Sequence, residues 1–421
     1  MIEVPTPKVT FLGQFFPPEP GAPETSFGIA DAIRDAGFDV RVLTGIPNYP
    51  AGRAAPGYRA WRRYREQVRG LRTLRVPLYP YHGPAAAKRI LNYVSFGLSA
   101  ATLGGRLLHG SDVNFVISSP ATNDMAAYVH RLTGGPPYVL YIQDLWPDSI
   151  FATGYLPFAD RSVAQRLMQR AVDTAYRKAS RILVTSDGMK NELLMRGISP
   201  DRIDIVYNWA DEDAFRQDGP RAELRTQLGL APDDRIFLYS GNLGAAQGLE
   251  CWVTAFTSGA VPDSAHLVLQ GRGSEAAMLG ELAGAHRQVH FLPPTPDREI
   301  AISNMRGADL LVVSLRDHPL FSMTIPSKLT GALAMGRPVA ATVPGDAADL
   351  ISAADAGVVA HPGSVDSVAQ VVTVATHHSR EALESRGKAG QLYYRTFMSR
   401  RSAQLQLTSA IVAASRDGAP K

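Results

Sequence analysis

The chain has 421 residues, 45% hydrophobic and 19% charged, with no biased tract, which excludes a disordered or fibrous protein and leaves length for two domains with separate cores. Its 43 Lys and Arg against 39 Asp and Glu leave a formal charge of only +4, so charge gives no argument for a nucleic-acid partner. A single cysteine, Cys251, excludes an internal disulfide and a cysteine-based zinc site; the histidines, His377 and His378 included, show no ligand spacing, so no metal is expected.

In chain order, residues 8–16 (KVTFLGQFF) predict a strand that ends in the loop Pro17, Pro18 and Gly21. SFGIADAIRDAGFDV then shows helical spacing with Gly37 as the stop, and VRVLTG is a second strand. The strand–helix alternation recurs at VNFVISSP, YVLYIQD, RILVTSD and IDIVYNW, which implies a parallel sheet covered on both faces. A polar, turn-rich segment at residues 208–222 marks a domain boundary. A second alternating series follows, RIFLYSG, HLVLQG, QVHFLP, ADLLVVSL, RPVAATV and AGVVAH. The fold class is therefore α/β, two doubly wound Rossmann-like domains, 1–208 and 222–395. Ligands of such sheets bind beyond the carboxyl ends of the strands, so the expected site is a cleft between the two.

Three segments carry candidate chemistry. SGNLGAAQG, after the first strand of the second series, has Gly241, Gly244 and Gly248 at a sharp turn where backbone can approach a pyrophosphate; a tight strand-to-helix turn explains the same glycines. In IPSKLTGALAMG, Ile325, Pro326, Ser327, Lys328 and Leu329 open a helix, with Ser327 read as N-cap and Lys328 in the first turn. The free amides, the dipole and the ammonium suit a phosphate, and an ordinary capped surface helix is the plain alternative. GRGSEA fits GxGxxA, but QVHFL ends in Pro293 and Pro294 instead of the acid a dinucleotide fold requires, so the dinucleotide reading is set aside and Arg272 is read as facing the cleft. In the first domain, Gln143, Asp144, Trp146, Pro147 and Asp148 stand just past YVLYI, an acidic and aromatic cluster at the cleft end of the sheet that packing explains poorly, with Asp144 as a helix cap the plain alternative. Arg59–Arg75 and KRILNYVSFGL pair basic residues with Trp61 and Phe96, a pattern of membrane-surface contact as much as of a solvated loop beside a half-buried helix. No segment reaches the ~20 consecutive apolar residues of a spanning helix, and the start lacks the pattern of a secretory leader. The expected location is the cytoplasm, extending to the inner face of the membrane.

Taken together, FFPPEPGAPETSFGIADAI, TGIPNYPAG, IQDLWPDS, YNWADEDAF, YSGNLGAAQGLE, QGRGSE and IPSKLTGALAMGRPVAA resemble glycosyltransferase family 4, especially its bacterial polysaccharide and O-antigen branch. The resemblance spans nearly the whole chain. It implies a GT-B fold, a last helix (about 396–421) packing back onto the first domain, and retaining transfer of a sugar from a nucleotide-diphosphate donor. It implies no cofactor and no required metal. The acceptor would be a small molecule or a lipid-linked glycan. Gly21 and Ala22 would offer amides near the transferred sugar and Glu24 an acid, Asp144 would contact a sugar hydroxyl or the attacking acceptor group, and Arg272 would face the donor base or phosphates. Asn242 and Gln247 stand where relatives carry Arg and Lys for the diphosphate, which leaves Lys328, Arg272, Arg316 and backbone amides to compensate. Met323 and Gly331 stand where many relatives place paired glutamates. A pseudo-transferase forming a non-glycosidic bond and a sugar-nucleotide 2-epimerase are the alternatives on the same fold.

Overall fold

A computed structural model of the chain describes residues 7–147, 163–216, 218–219, 222–295 and 297–417. The chain divides into two compact units, Met1–Val206 with Gln404–Lys421, and Tyr207–Ala403.

In the first unit, eight strands form one sheet in the order β3-β4-β2-β1-β5-β6-β7-β8. They are β1 (Lys8–Leu12), β2 (Asp39–Gly45), β3 (Tyr64–Val68), β4 (Leu71–Val76), β5 (Val113–Ser118), β6 (Tyr138–Ile142), β7 (Arg181–Val184) and β8 (Ile203–Ile205). All pair in parallel except β3, which runs antiparallel to β4 at the edge. Order reverses between β1 and β5, the switch point at which open parallel sheets leave a crevice beyond their carboxyl ends. Central β5 and β6 are buried along their length, so they read as continuous apolar runs. The helix Ala22–Asp35 begins with Pro in its first turn and Glu24 at the positive end of its dipole, and Gly37 leaves it at φ +95°. From Gln404 onward the helix Arg400–Asp417 contributes Leu407, Ala410, Ile411 and Ala414 as one buried stripe, and Gln404 Nε2 donates to the Ala32 carbonyl at 2.9 Å.

The basic stretch Arg59–Arg75 includes ordered structure that its polarity concealed: β3 and β4 form a hairpin closed by Arg69 (φ +48°) and Gly70 (φ +86°). Two successive positive φ values match the twist of the flanking strands, and alternation of exposed Arg65 and Arg72 with inward side chains gives β3 and β4 their period of two.

The second unit has six strands, all parallel, in the order β11-β10-β9-β12-β13-β14. They are β9 (Arg235–Asn242), β10 (Ala265–Arg272), β11 (Val289–Leu292), β12 (Leu310–Ser314), β13 (Val339–Thr342) and β14 (Gly357–Ala360). Alternate residues supply two cores. Ile236, Leu238, Leu311, Val313 and Ala341 pack on one face, and Phe237, Tyr239, Leu310, Val312 and Ala340 on the other. Each buried large apolar side chain stabilises by about 1.5–3 kcal/mol, which is why a strand apolar on both sides holds its register in the middle of the sheet. Here the switch point lies between β9 and β12.

Candidate functional site

The sharpest concentration of unusual geometry lies at the carboxyl ends of β9, β10 and β12. Gly241 has φ +146°, and a Cβ there would stand 2.5 Å from Lys328 Cε and 2.9 Å from its Nζ. Glycine is thus required twice, for the backbone conformation and to leave the lysine its channel. Gly271 (φ +149°) is register partner to Gly241, and a Cβ on it would lie 1.7 Å from the Gly241 carbonyl oxygen; one on Gly273 would lie 2.0 Å from that of Leu243. The glycines of GRGSEA are therefore explained by two strand ends in backbone contact, and Leu243 N–H donates to the Arg272 carbonyl at 2.8 Å to seal them. Arg272 itself is exposed at the tip of β10.

The helix Ser327–Met335 points its amino end into this region. Pro326, not Ser327, takes the extended N-cap conformation (ψ 140°), and Ser327 is the first helical residue with an exposed side chain that makes no cap bond. The cap expectation for Ser327 is corrected accordingly: the ring of Pro326 fixes φ at −71°, and with ψ extended it serves as the turn into the helix. The first-turn N–H groups at such an end point outward and favour an anion. Leu329 is buried and anchors the turn from below, and Ile325 is half-buried.

Lys328 is half-buried over the Tyr239 ring, 5.2 Å from Nζ to centroid, and makes no ion pair with any described residue. Burial holds its pKa below that of an ordinary lysine. An ammonium kept partly from water without a carboxylate is costly, and such a charge in a concave site is a candidate for a ligand anion. Arg316 differs. Its guanidinium is held by Glu250 at 2.8 Å and Glu275 at 3.5 Å, so its charge is already countered. Its backbone N–H binds the Ala246 carbonyl at 3.0 Å, and Gly248 (φ +59°) leaves space for its Cγ.

Asn242 is exposed at the end of β9, whereas Gln247 turns inward. With its amide nitrogen toward them, the Gln247 side chain donates to the carbonyls of Gly244 at 3.0 Å and Asn242 at 3.2 Å, spending its polarity on the loop itself. A Cβ on Gly244 would stand 2.7 Å from Asn242 Nδ2. Gly331 is covered by the Phe215 ring, 3.1 Å from where a Cβ would be, so the position that could carry a glutamate is filled by an aromatic face.

In the first unit, Asp144 lies exposed just past β6 and accepts from Ser119 Oγ, past β5, at 2.8 Å. Asp148 and the segment after it lie outside the described residues. Glu24 is taken up by Arg69, two contacts of 2.7 and 2.8 Å on a half-exposed surface. Gly21 has φ +83° and precedes Ala22 at the start of the helix Ala22–Asp35.

The buried acid beside that loop is Glu19, which the sequence reading passed over. Its carboxylate accepts the N–H groups of Asn48 (2.6 Å), Tyr49 (2.7 Å) and Phe16 (3.2 Å), tying the loop after β1 to the loop after β2. Burial raises its pKa against the pull of those amides and of Arg75. Gln14, Asn48 and Asn92 continue the network beneath both loops. The run PPEP was the available signal, an acid between prolines with no free neighbour of its own. Asp124 was also missed. It accepts from Ser118 Oγ at 2.6 Å at the end of β5, and burial pushes its carboxyl up to about 8. Among the described residues no cluster of His, Cys, Asp and Glu is placed to hold a metal ion.

Residues 21–209 match the model of the glycosyl transferase 4-like domain and residues 234–377 that of glycosyl transferases group 1. The chain is 28% identical over 308 residues to a protein of Escherichia coli K12 named for colanic acid biosynthesis, the glycosyl transferase WcaI, covering 71% of this chain and 74% of that one. It is 28% identical over 186 residues to the D-inositol 3-phosphate glycosyltransferase of Mycobacterium tuberculosis H37Ra, 42% of this chain and 36% of that protein. Among solved structures, Anabaena HepE in complex with UDP-glucose superposes with a TM-score of 0.65 at 17% identity, over 97% of this chain and 100% of that one. With both domain models matched in order on two doubly wound units, the chain belongs to the GT-B glycosyltransferases of the family 4, group 1 type.

Proposed function

We propose that this glycosyltransferase moves a sugar from a nucleotide diphosphate onto a glycan-type acceptor with retention of anomeric configuration. The observation that carries the donor half is Lys328, an ammonium without a carboxylate partner among the described residues, lodged in the channel left by Gly241 at the amino end of the helix Ser327–Met335. Lys328, the first-turn amides and the glycine loop Gly241–Gly248 would hold the diphosphate, with the side chains of Gln247 and Arg316 bracing the loop and Arg272 and Asn242 at its rim. In the transfer, the bond from the anomeric carbon to the phosphate oxygen breaks and the bond to the acceptor oxygen forms on the same face. The acceptor proton passes to the departing phosphate, so stabilisation of that leaving group and positioning supply the catalysis. Asp144, exposed past β6, is the candidate to orient the acceptor or a donor hydroxyl. This reading requires no metal.

A lipid-linked acceptor is favoured by the first unit's surface. The helix Ala86–Leu103 exposes Leu91 (49%), Val94 (40%) and Leu98 (63%) as one stripe. Beside its far end, Arg41, Arg63, Arg65, Arg72 and Arg106 line a groove of about 750 Å3. Apolar side chains next to clustered arginines suit an anionic headgroup surface at the inner face of a membrane. No helix among the described residues is long and apolar enough to cross one.

The test is a panel of nucleotide sugars incubated with the protein, with and without lipid-linked acceptors, following nucleotide release. Release from at least one donor, stimulated by acceptor and retaining the anomeric configuration in the product, is expected. Release from none overturns the reading, and an epimerised donor without transfer replaces it with epimerisation. Co-sedimentation with anionic vesicles at low salt tests the membrane surface, and its absence removes that part.

A further inference from the structure

Behind the glycine loop runs a chain of buried hydrogen bonds. Trp252 Nε1 donates to Thr342 Oγ1 at 2.9 Å, Thr342 Oγ1 donates to Ser314 Oγ at 2.7 Å, and Ser314 Oγ donates to the Gln247 carbonyl at 2.5 Å. All three side chains are at most 2% exposed. Ser314 and Thr342 are register partners at the last positions of β12 and β13. Direction is forced. An indole N–H can only donate, so each hydroxyl that accepts from behind has its own proton free for the next acceptor, and the last proton meets a carbonyl.

We propose that Trp252, Thr342 and Ser314 are positioning residues that fix the peptide between Gln247 and Gly248, and through it the phosphate-facing form of the loop. In a trans peptide, carbonyl and N–H point in opposite directions. Drawing the Gln247 carbonyl back to the sheet therefore turns the Gly248 N–H away from it. Cys251 Sγ donates to the Gly248 carbonyl at 3.1 Å, which fixes the following peptide as well. The role in ligand binding rests on the donor-site reading; the brace itself does not.

Hydrogen exchange of the segment 241–249 tests the brace, and calorimetric titration with UDP and with GDP tests its use. Ser314→Ala removes one oxygen with little change in volume, Thr342→Val breaks the chain one step earlier, and Thr342→Ser keeps the hydroxyl. Loss of one buried hydrogen bond corresponds to roughly fivefold in an opening equilibrium, so exchange across 241–249 should rise about that much in Ser314→Ala and Thr342→Val, and stay near wild type in Thr342→Ser. Exchange in β9 before residue 241, and in β10, should be unchanged. Binding of whichever nucleotide the wild type takes should weaken about fivefold in the same two variants and recover in Thr342→Ser. Unchanged exchange at 241–249 in Ser314→Ala overturns the brace, and should Thr342→Val fail to fold, Ser314→Ala decides alone. Faster exchange with undiminished nucleotide affinity overturns its role in binding. A wild type that binds neither nucleotide but shows the exchange pattern keeps the brace and counts against the donor site.

Discussion

The loop after β1 and the loop after β9 occupy the same topological place, each following a strand at the switch point of a parallel sheet, and they are held by opposite means. Residues 13–21 of the first unit are fixed by side chains: the Glu19 carboxylate gathers three amides, and Gln14, Asn48 and Asn92 lie beneath it. Residues 241–248 of the second are fixed chiefly by the absence of side chains, with Gly241 and Gly271 in backbone contact, the Gln247 amide folded onto the loop's own carbonyls, and two hydroxyls, an indole and the Cys251 thiol behind. A loop shaped by a carboxylate network can change with its sequence. One shaped by backbone contact presents amides, whose geometry suits any phosphate and tolerates almost no substitution.

The largest effect should come from breaking that backbone contact. Gly271→Ala sets a Cβ 1.7 Å from a carbonyl oxygen at a φ that side chains avoid, so a loss of about 3 kcal/mol or more is expected as a lowered melting temperature. A melting temperature within a degree of wild type would show the two strand ends to be looser than described. Lys328→Met keeps the stem and removes the charge. Nucleotide affinity should fall roughly tenfold to a hundredfold, the worth of a charged hydrogen bond, with no loss of thermal stability because the cation has no carboxylate partner among the described residues. Since burial lowers the Lys328 pKa, wild-type affinity should also decline on the alkaline side earlier than for an ordinary lysine, and in Lys328→Met that decline should vanish.

On the first-unit side, Glu19→Gln puts an amide nitrogen against backbone N–H groups. It should cost about 2 kcal/mol, read by urea denaturation, while leaving nucleotide affinity intact. Asp124→Asn goes the other way. The folded state holds a proton on Asp124 up to about pH 8, whereas the unfolded chain releases it near pH 4, so wild-type stability drains as pH rises through that window. Asparagine cannot titrate, so the variant should gain in melting temperature relative to wild type between pH 5 and pH 8; a gap independent of pH would show the carboxyl to be ordinary. Smallest should be Glu24→Gln. The Glu24–Arg69 pair is half-exposed, and less than about 1 kcal/mol is expected in thermal melting. A large loss of transfer activity in Glu24→Gln would restore a catalytic role to that acid.

Alternation of apolar strands with 3.6-period helices was enough to read two doubly wound sheets, because a strand buried on both faces cannot be written any other way. The residues of the proposed phosphate site were legible in part for a similar reason: glycines after a first strand and a lysine in a helix's first turn are local features. The β3–β4 hairpin was not, since arginines alternating on an edge strand resemble a solvated loop until a partner strand covers the other side.

By itself, then, the sequence determined the fold class, the turn positions and the residue types near the glycine loop after β9, all of which depend on neighbours within a few residues. Only the tertiary structure decided which charges are spent. Arg316 lies between two carboxylates and Gln247 on its own loop, while Lys328 is left over a tyrosine ring, and Glu19 is buried under three amides. Those outcomes depend on groups tens of residues apart meeting at a few ångströms, and both electrostatic energy and hydrogen bonding are set by that distance.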